Sequence, residues 1–182
     1  MKSGTLLLLV VALLVLFAGG AAVVVVVNRE KMAQLLRDAF ARHGLDPTWG
    51  EAFGVVESNL NPKARNESGP DATLGGSYGA TQMSRVLLSL AGGPTPEELL
   101  QDPALQAEWT ARLVSEGAAV HFVHGSPVLV RYGSPASLED AGAVWNAGRQ
   151  TFAELPVSHV TRTSYVPKLL AAAADASDEV SA

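Results

Sequence analysis

The chain has 182 residues, 48% of them apolar, with a net charge of -5 and no cysteine. Lack of cysteine excludes disulfide scaffolds, Cys-based zinc sites and thiol catalysis, and the acidic balance argues against a nucleic-acid surface, which needs basic residues. The apolar residues are unevenly spread: from Thr5 to Val27 only Thr5, Gly19 and Gly20 fall outside the apolar set, whereas the remainder is about 43% apolar, ordinary for one globular domain.

At about 1.5 Å per residue, 5–27 covers roughly 35 Å against about 30 Å of hydrocarbon. The expectation is a short flank at 1–4 and a single transmembrane helix at 5–27 that contacts the lipid bilayer. The rival is a cleaved secretory signal, with Lys2 as the basic start, Leu6 to Phe17 as the apolar stretch and Ala18-Gly19-Gly20 as small residues for a peptidase. The valines Val23 to Val27 that follow favour the uncleaved anchor. Arg29, Lys31, Arg37 and Arg42 lie after the segment and only Lys2 before it. By the positive-inside rule alone the domain would stay in the cytoplasm.

Apolar residues at Met32, Leu35, Leu36, Ala39 and Phe40 have helical spacing with one buried face, closed by Gly44. Asp46-Pro47 supplies a cap and a first-turn proline for a second helix through Trp49, Phe53 and Val56 to about Ser58. Two short helices packed at an angle are expected. From Asn59 to Tyr78 the composition turns to Asn, Pro, Gly and Ser, a long loop of the kind that is usually functional or disordered. Helical patterns return at Ala80 to Leu90, after Pro96, from Asp102-Pro103 through Val120, at Leu138 to Ala147 and at Ser164 to Ala174. His124 to Ser137 reads as a Gly-, Pro- and Ser-rich excursion with a weak strand signal at Val128 to Tyr132, and 171–182 as a low-complexity tail. The fold class is mainly α, one domain over 28–170 behind the N-terminal segment.

Glu57 is the residue of most chemical interest. It ends an apolar helical run, Phe53, Val55 and Val56, immediately before the polar loop, so a carboxyl group stands where a hydrophobic wall meets a cleft. Partial desolvation there favours the protonated form, as a general acid for a glycosidic oxygen requires. On position alone, a solvated helix-end glutamate is the commoner outcome. His43, His121, His124 and His159 lack ligand spacing with a carboxylate, so no metal or other cofactor is expected. Trp49, Trp109 and Trp145 are read as core.

The strings VVESNLNPKARN, SYGATQMS, VWNAGR and SYVPKLL follow one another in that order. In order and spacing they resemble the soluble lytic transglycosylase and goose-type lysozyme superfamily, with its E-S-x-x-N-P, G-x-x-Q, [YW]-N-A-G and Y-V pattern, over about Leu36 to Leu170. The resemblance implies a lysozyme-like α-helical fold and an enzyme that cleaves the β-1,4 bond between N-acetylmuramic acid and N-acetylglucosamine, its partner being the glycan strand of peptidoglycan. Glu57 would be the catalytic acid and base, with Ser58 beside it on the cleft wall. Tyr78, Gly79 and Gln82 would shape the saccharide groove. Asn146 and Ala147 would form the turn that receives an N-acetyl group, and Tyr165 would face the carboxylate.

The chain departs from the pattern at Trp145, where Tyr is commoner, and in lacking a proline soon after Gln82; His124 to Ser137 has no obvious counterpart. A transglycosylase works with one glutamate and leaves a 1,6-anhydro product. A goose-type hydrolase would need a second carboxylate, for which Asp71, eight residues before Gly79, is the candidate. A non-catalytic wall-binding or virion component is a further alternative. The implied chemistry places the domain in the periplasm or outside the cell, or in a phage particle or virion membrane, which conflicts with the flanking-charge rule.

Overall fold

The computed structural model describes residues 28–181, except for the side chains of 69–71 and 179–181. Helix α1 spans 28–42 and α2 runs Pro47–Ser58. Asp46 caps α2 by accepting from the Thr48 N–H at 2.9 Å, with Pro47 in the first turn. The far end closes where Asn59 turns left-handed (φ 58°), and the N–H groups of Asn59 and Leu60 wrap back to the Val55 and Gly54 carbonyls. The two helices pack closely because Gly50 has no side chain: a Cβ there would stand 2.8 Å from the Leu36 carbonyl oxygen and 2.7 Å from the Phe40 ring. Arg37 on α1 pairs with the buried carboxylate of Glu51 on α2.

After α2 the chain forms a small antiparallel sheet in the order β1 (Arg65–Asn66), β2 (Ser77–Tyr78), β3 (Met83–Ser84), with a 3-10 turn at Gly69–Leu74. Three short-to-medium helices follow: α3 (Arg85–Leu90), α4 (Pro96–Gln101) and α5 (Pro103–Ser115). Each has a side-chain cap, from Ser84, from Thr95 in a reciprocal box with Glu98, and from Asp102. A β-hairpin of β4 (Ala118–Val123) and β5 (Ser126–Arg131) comes next, then α6 (Leu138–Ala147), a π-helical turn at Thr161–Tyr165 and α7 (Val166–Ser181).

One apolar cluster joins α1, α2, α5, α6 and α7 around Phe40, Phe53 and Leu169. A second gathers Tyr78, Met83, Leu88, Leu99 and Leu113 beneath the small sheet. Trp145 packs against both. Gln106, fully buried on α5, ties them together: its Nε2 donates to the carbonyls of Pro62 and Leu99, each at 2.8 Å, and its Oε1 accepts from the Ala80 N–H at 3.0 Å.

Several expectations need correction. The expected class was a mainly α, lysozyme-like domain behind a single transmembrane helix. The chain is mostly helical, but among the described residues no helix is long and apolar enough to cross a membrane. Residues 5–27, where that helix was placed, lie outside the described residues. The helix expected from Asp102 through Val120 ends at Ser115, because Ala118 to Val123 pair instead with Ser126 to Arg131. The excursion at 124–137 thus contributes the second strand of a hairpin that turns through His124 and Gly125, both at positive φ. Helix was expected from Ala80, but α3 starts only at Arg85: Gln82 is left-handed (φ 52°), and Met83 and Ser84 pair with β2. At the other end, α7 carries helix through 171–181, with Ala173 and Ala176 buried.

The Gln106 amide predicts a measurable stability loss. Gln106→Leu keeps the side-chain size but strips two buried backbone groups and one partly buried one of their partners, so unfolding in urea should show a loss of about 2–4 kcal/mol. A loss under about 1 kcal/mol would mean that water or rearranged backbone replaces the amide.

Candidate active site

A cleft of about 460 Å³ opens between the two apolar clusters, and Glu57, Gln82, Asn146 and Ala147 all line it. Among the described residues that line it, Glu57 is the one carboxylate. Its place follows from α2. Phe53, one turn earlier, is fully buried against Phe40 and Trp145, and the left-handed cap at Asn59 stops the helix just past Glu57. The carboxyl group is therefore half-buried at the end of a rigid element rather than on a loop.

Tyr165 reaches Glu57 from the opposite side, its hydroxyl donating to Glu57 Oε1 at 2.5 Å. The π-helical turn makes this possible. Thr161 and Tyr165 lie one turn apart and both serve the cleft: the buried Thr161 hydroxyl donates to Asn146 Oδ1 at 2.6 Å, while Tyr165 holds Glu57. Widened turns of this kind are common at functional sites, where they re-aim side chains out of the regular helical register. With Oδ1 engaged by Thr161, the Asn146 amide nitrogen is the end available to donate to a ligand carbonyl.

Gln82 enters the cleft from a left-handed backbone, an uncommon conformation for a residue with a side chain. Its Nε2 donates to the Gly79 carbonyl at 2.9 Å. Gly79 has φ +79°, and a Cβ there would lie 2.7 Å from Gln106 Oε1, so only glycine fits. The backbone of the next residue is held on both sides of its Cα: the Ala80 N–H by Gln106 and the Ala80 carbonyl by the Ser58 hydroxyl at 2.7 Å.

The residues expected at the site thus fall into groups. Glu57, Gln82, Asn146 and Ala147 share the cleft, and Tyr165 contacts it through Glu57. Ser58 and Gly79 support it from behind, through Ala80 and Gln106. Tyr78 is not a groove residue. It is 1% exposed, and its hydroxyl sits among Glu67 Oε1 at 2.9 Å, the Gly75 carbonyl at 3.1 Å and the Arg85 guanidinium at 3.1 Å. Asp71 belongs to the 3-10 turn Gly69–Leu74, and its side chain lies outside the described residues.

Other contributors were not assigned to the site from the sequence, where Trp145 was read as core and His121 only as lacking ligand spacing. Trp145 lines the cleft and braces it, its ring 5.5 Å from that of Phe53. His121 and Tyr132 from the hairpin cap the carbonyl of Gly148, at 2.8 and 3.1 Å, locking the hairpin to the turn that carries Asn146. A buried glutamine flanked by Ala and Leu on a capped helix was a usable signal for Gln106; nothing local marked the histidine. Among the described residues no group of three or more His, Asp or Glu side chains is arranged to hold a metal ion. No known protein family, curated protein or solved structure matches the chain.

Burial, with the Glu57 charge and hydrogen bond behind it, pushes the Tyr165 phenol well above its ordinary value. The neutral phenol is thus favoured by folding, and that stabilisation is intact below the unfolded value of about 10 and lost as pH rises through the folded one. Tyr165→Phe should delete a tyrosinate transition from the far alkaline end of an absorbance titration. It should also flatten the fall of stability with pH above about 10, relative to the parent protein. A Tyr165 that ionised at its ordinary value would contradict the hydrogen bond to Glu57.

Proposed function

We propose that this protein is a peptidoglycan lytic transglycosylase that cleaves the β-1,4 bond between N-acetylmuramic acid and N-acetylglucosamine, with Glu57 as the acid and then the base. The observation that carries the reading is the cleft itself. One half-buried carboxyl group, held at Oε1 by Tyr165, shares it with two side-chain amides, Gln82 and Asn146. The order of the four motifs that supply these residues supports the same superfamily.

The chemistry balances without water. Glu57 gives its proton to the glycosidic oxygen as the bond from C1 to that oxygen breaks, and the free end of the strand leaves as an alcohol. The acetamido carbonyl of the same muramic acid shares the positive charge that develops at C1. The Glu57 carboxylate then takes the proton from the 6-hydroxyl, whose oxygen bonds to C1 and closes the 1,6-anhydro ring, so the glutamic acid is regenerated. Each residue has one task in this scheme. Tyr165 keeps the carboxyl group from rotating away between its two proton transfers, and Asn146 offers an amide donor to the acetamido carbonyl of a bound sugar. An inverting hydrolase would instead need a second carboxylate about 6.5–9.5 Å away to activate water, the part Asp71 would take.

Glu57→Gln should cut release of soluble fragments from purified sacculi by about a thousandfold or more, since one group performs both proton transfers, while far-ultraviolet circular dichroism stays unchanged. Mass spectrometry of the fragments should find 1,6-anhydro ends. Reducing ends would assign the cleft to a hydrolase, and unaltered turnover in Glu57→Gln would remove Glu57 from the chemistry.

A further inference from the structure

We propose that the cleft-side face of the β4–β5 hairpin is a saccharide subsite, on which Phe122 forms a platform for a pyranose ring of a β-linked amino-sugar chain passing through the cleft. The proposal rests on the reading of the cleft as a glycan-cleaving site and extends it to residues outside the four motifs.

Strand geometry puts Ala118, Val120 and Phe122 on one face of β4, because side chains alternate along a strand. All three line the cleft that contains Glu57. Exposure rises along this row, from 2% at Ala118, through the half-buried Val120, to 55% at Phe122, so the wall starts in the core and runs out into solvent. The register places Leu129 opposite Val120 and Pro127 opposite Phe122, and directly opposed residues share a face. The surface that continues the cleft is therefore apolar on both strands. Phe40 and Phe53, by contrast, are fully buried. Packing does not call for an exposed phenylalanine here, and apolar surface of this kind next to a cleft is typical of ligand grooves.

The hairpin also holds its position. His121 and Tyr132 cap the Gly148 carbonyl, the Tyr132 N–H bonds the Gly117 carbonyl at 3.1 Å, and Arg131 pairs with Glu116 at 2.7 Å. Phe122 is thus tied, through the hairpin, to the same turn that carries Asn146. The cleft lining combines side-chain amides, Gln82 and Asn146, with an apolar row, Val120 and Phe122. A pyranose in a β-linked amino-sugar chain has matching surfaces: hydroxyl and acetamido groups around its edge, and C–H bonds on its faces that pack on an aromatic ring. A free headgroup or an ionic ligand would make no use of the apolar row.

The test uses the full chain carrying Glu57→Gln, so that nothing is turned over, and calorimetric titration with the trimer and the hexamer of β-1,4-linked N-acetylglucosamine. The hexamer should bind more tightly than the trimer. Adding Phe122→Ala should weaken the hexamer by about tenfold, as expected for losing one aromatic anchor, and the trimer far less; Phe122→Trp should restore the hexamer's affinity and shows that the hairpin still folds with a substituted tip. An unchanged hexamer affinity in Phe122→Ala, or an equal loss for both oligomers, would overturn the subsite while leaving the glycan reading in place. Binding of neither oligomer by Glu57→Gln would overturn both.

Discussion

The backbone of Ala80 is the point on which the rest of this structure depends. Its N–H is held by the Gln106 amide and its carbonyl by the Ser58 hydroxyl, so the end of α2, the loop before β3 and the first turn of α5 are fastened through the two planar peptide groups that meet at the Ala80 Cα. The fastening is sheltered from water on the Gln106 side, where an unmade hydrogen bond costs most. Ser58 directly follows Glu57, and Gly79, directly before Ala80, supplies the carbonyl that orients Gln82. Two side chains that meet in the cleft thus inherit their positions from one buried clamp.

A second set of constraints arrives from the far end of the chain. The π-helical turn before α7 sends Thr161 to Asn146 and Tyr165 to Glu57, so both functional side chains on that side are oriented by residues one turn apart. Trp145 links the two sets mechanically, packing on Phe53 of α2 while its neighbour Asn146 faces the cleft. A site built on helix ends and held by buried hydrogen bonds is pre-organised, as the proposed mechanism asks of a carboxyl group that would both donate and recover a proton without changing place.

The cleft lining mixes amide and apolar side chains for a reason rooted in the local elements. The amide side comes from tight turns and a helix end, Gln82 at a left-handed position and Asn146 in the last turn of α6. The apolar side is a strand face, where alternation sends every second residue to the same surface.

Much of the chain was legible one residue at a time. Asp46-Pro47 and Asp102-Pro103 announce helix starts because a capping carboxylate and a proline lacking an N–H suit the first turn, and Glu57 stood out through the motif it opens, ESNLNP, since its position alone favoured a solvated glutamate. What depends on partners distant in sequence was not legible. Ala118 to Val123 have no clear period, and their pairing with β5 decides for strand. Tyr78 and Gln82 lie in one short motif, yet the first is buried under Arg85 and the second faces the cleft, a difference set by the positive φ values between them. The sequence by itself determined where most helices begin and which carboxylate was worth watching, because capping and local periodicity are short-range effects. The tertiary structure alone decided that Gln106, Thr161, His121 and Phe122 belong to the site or its frame, because hydrogen bonds and cleft walls form between residues far apart in the chain.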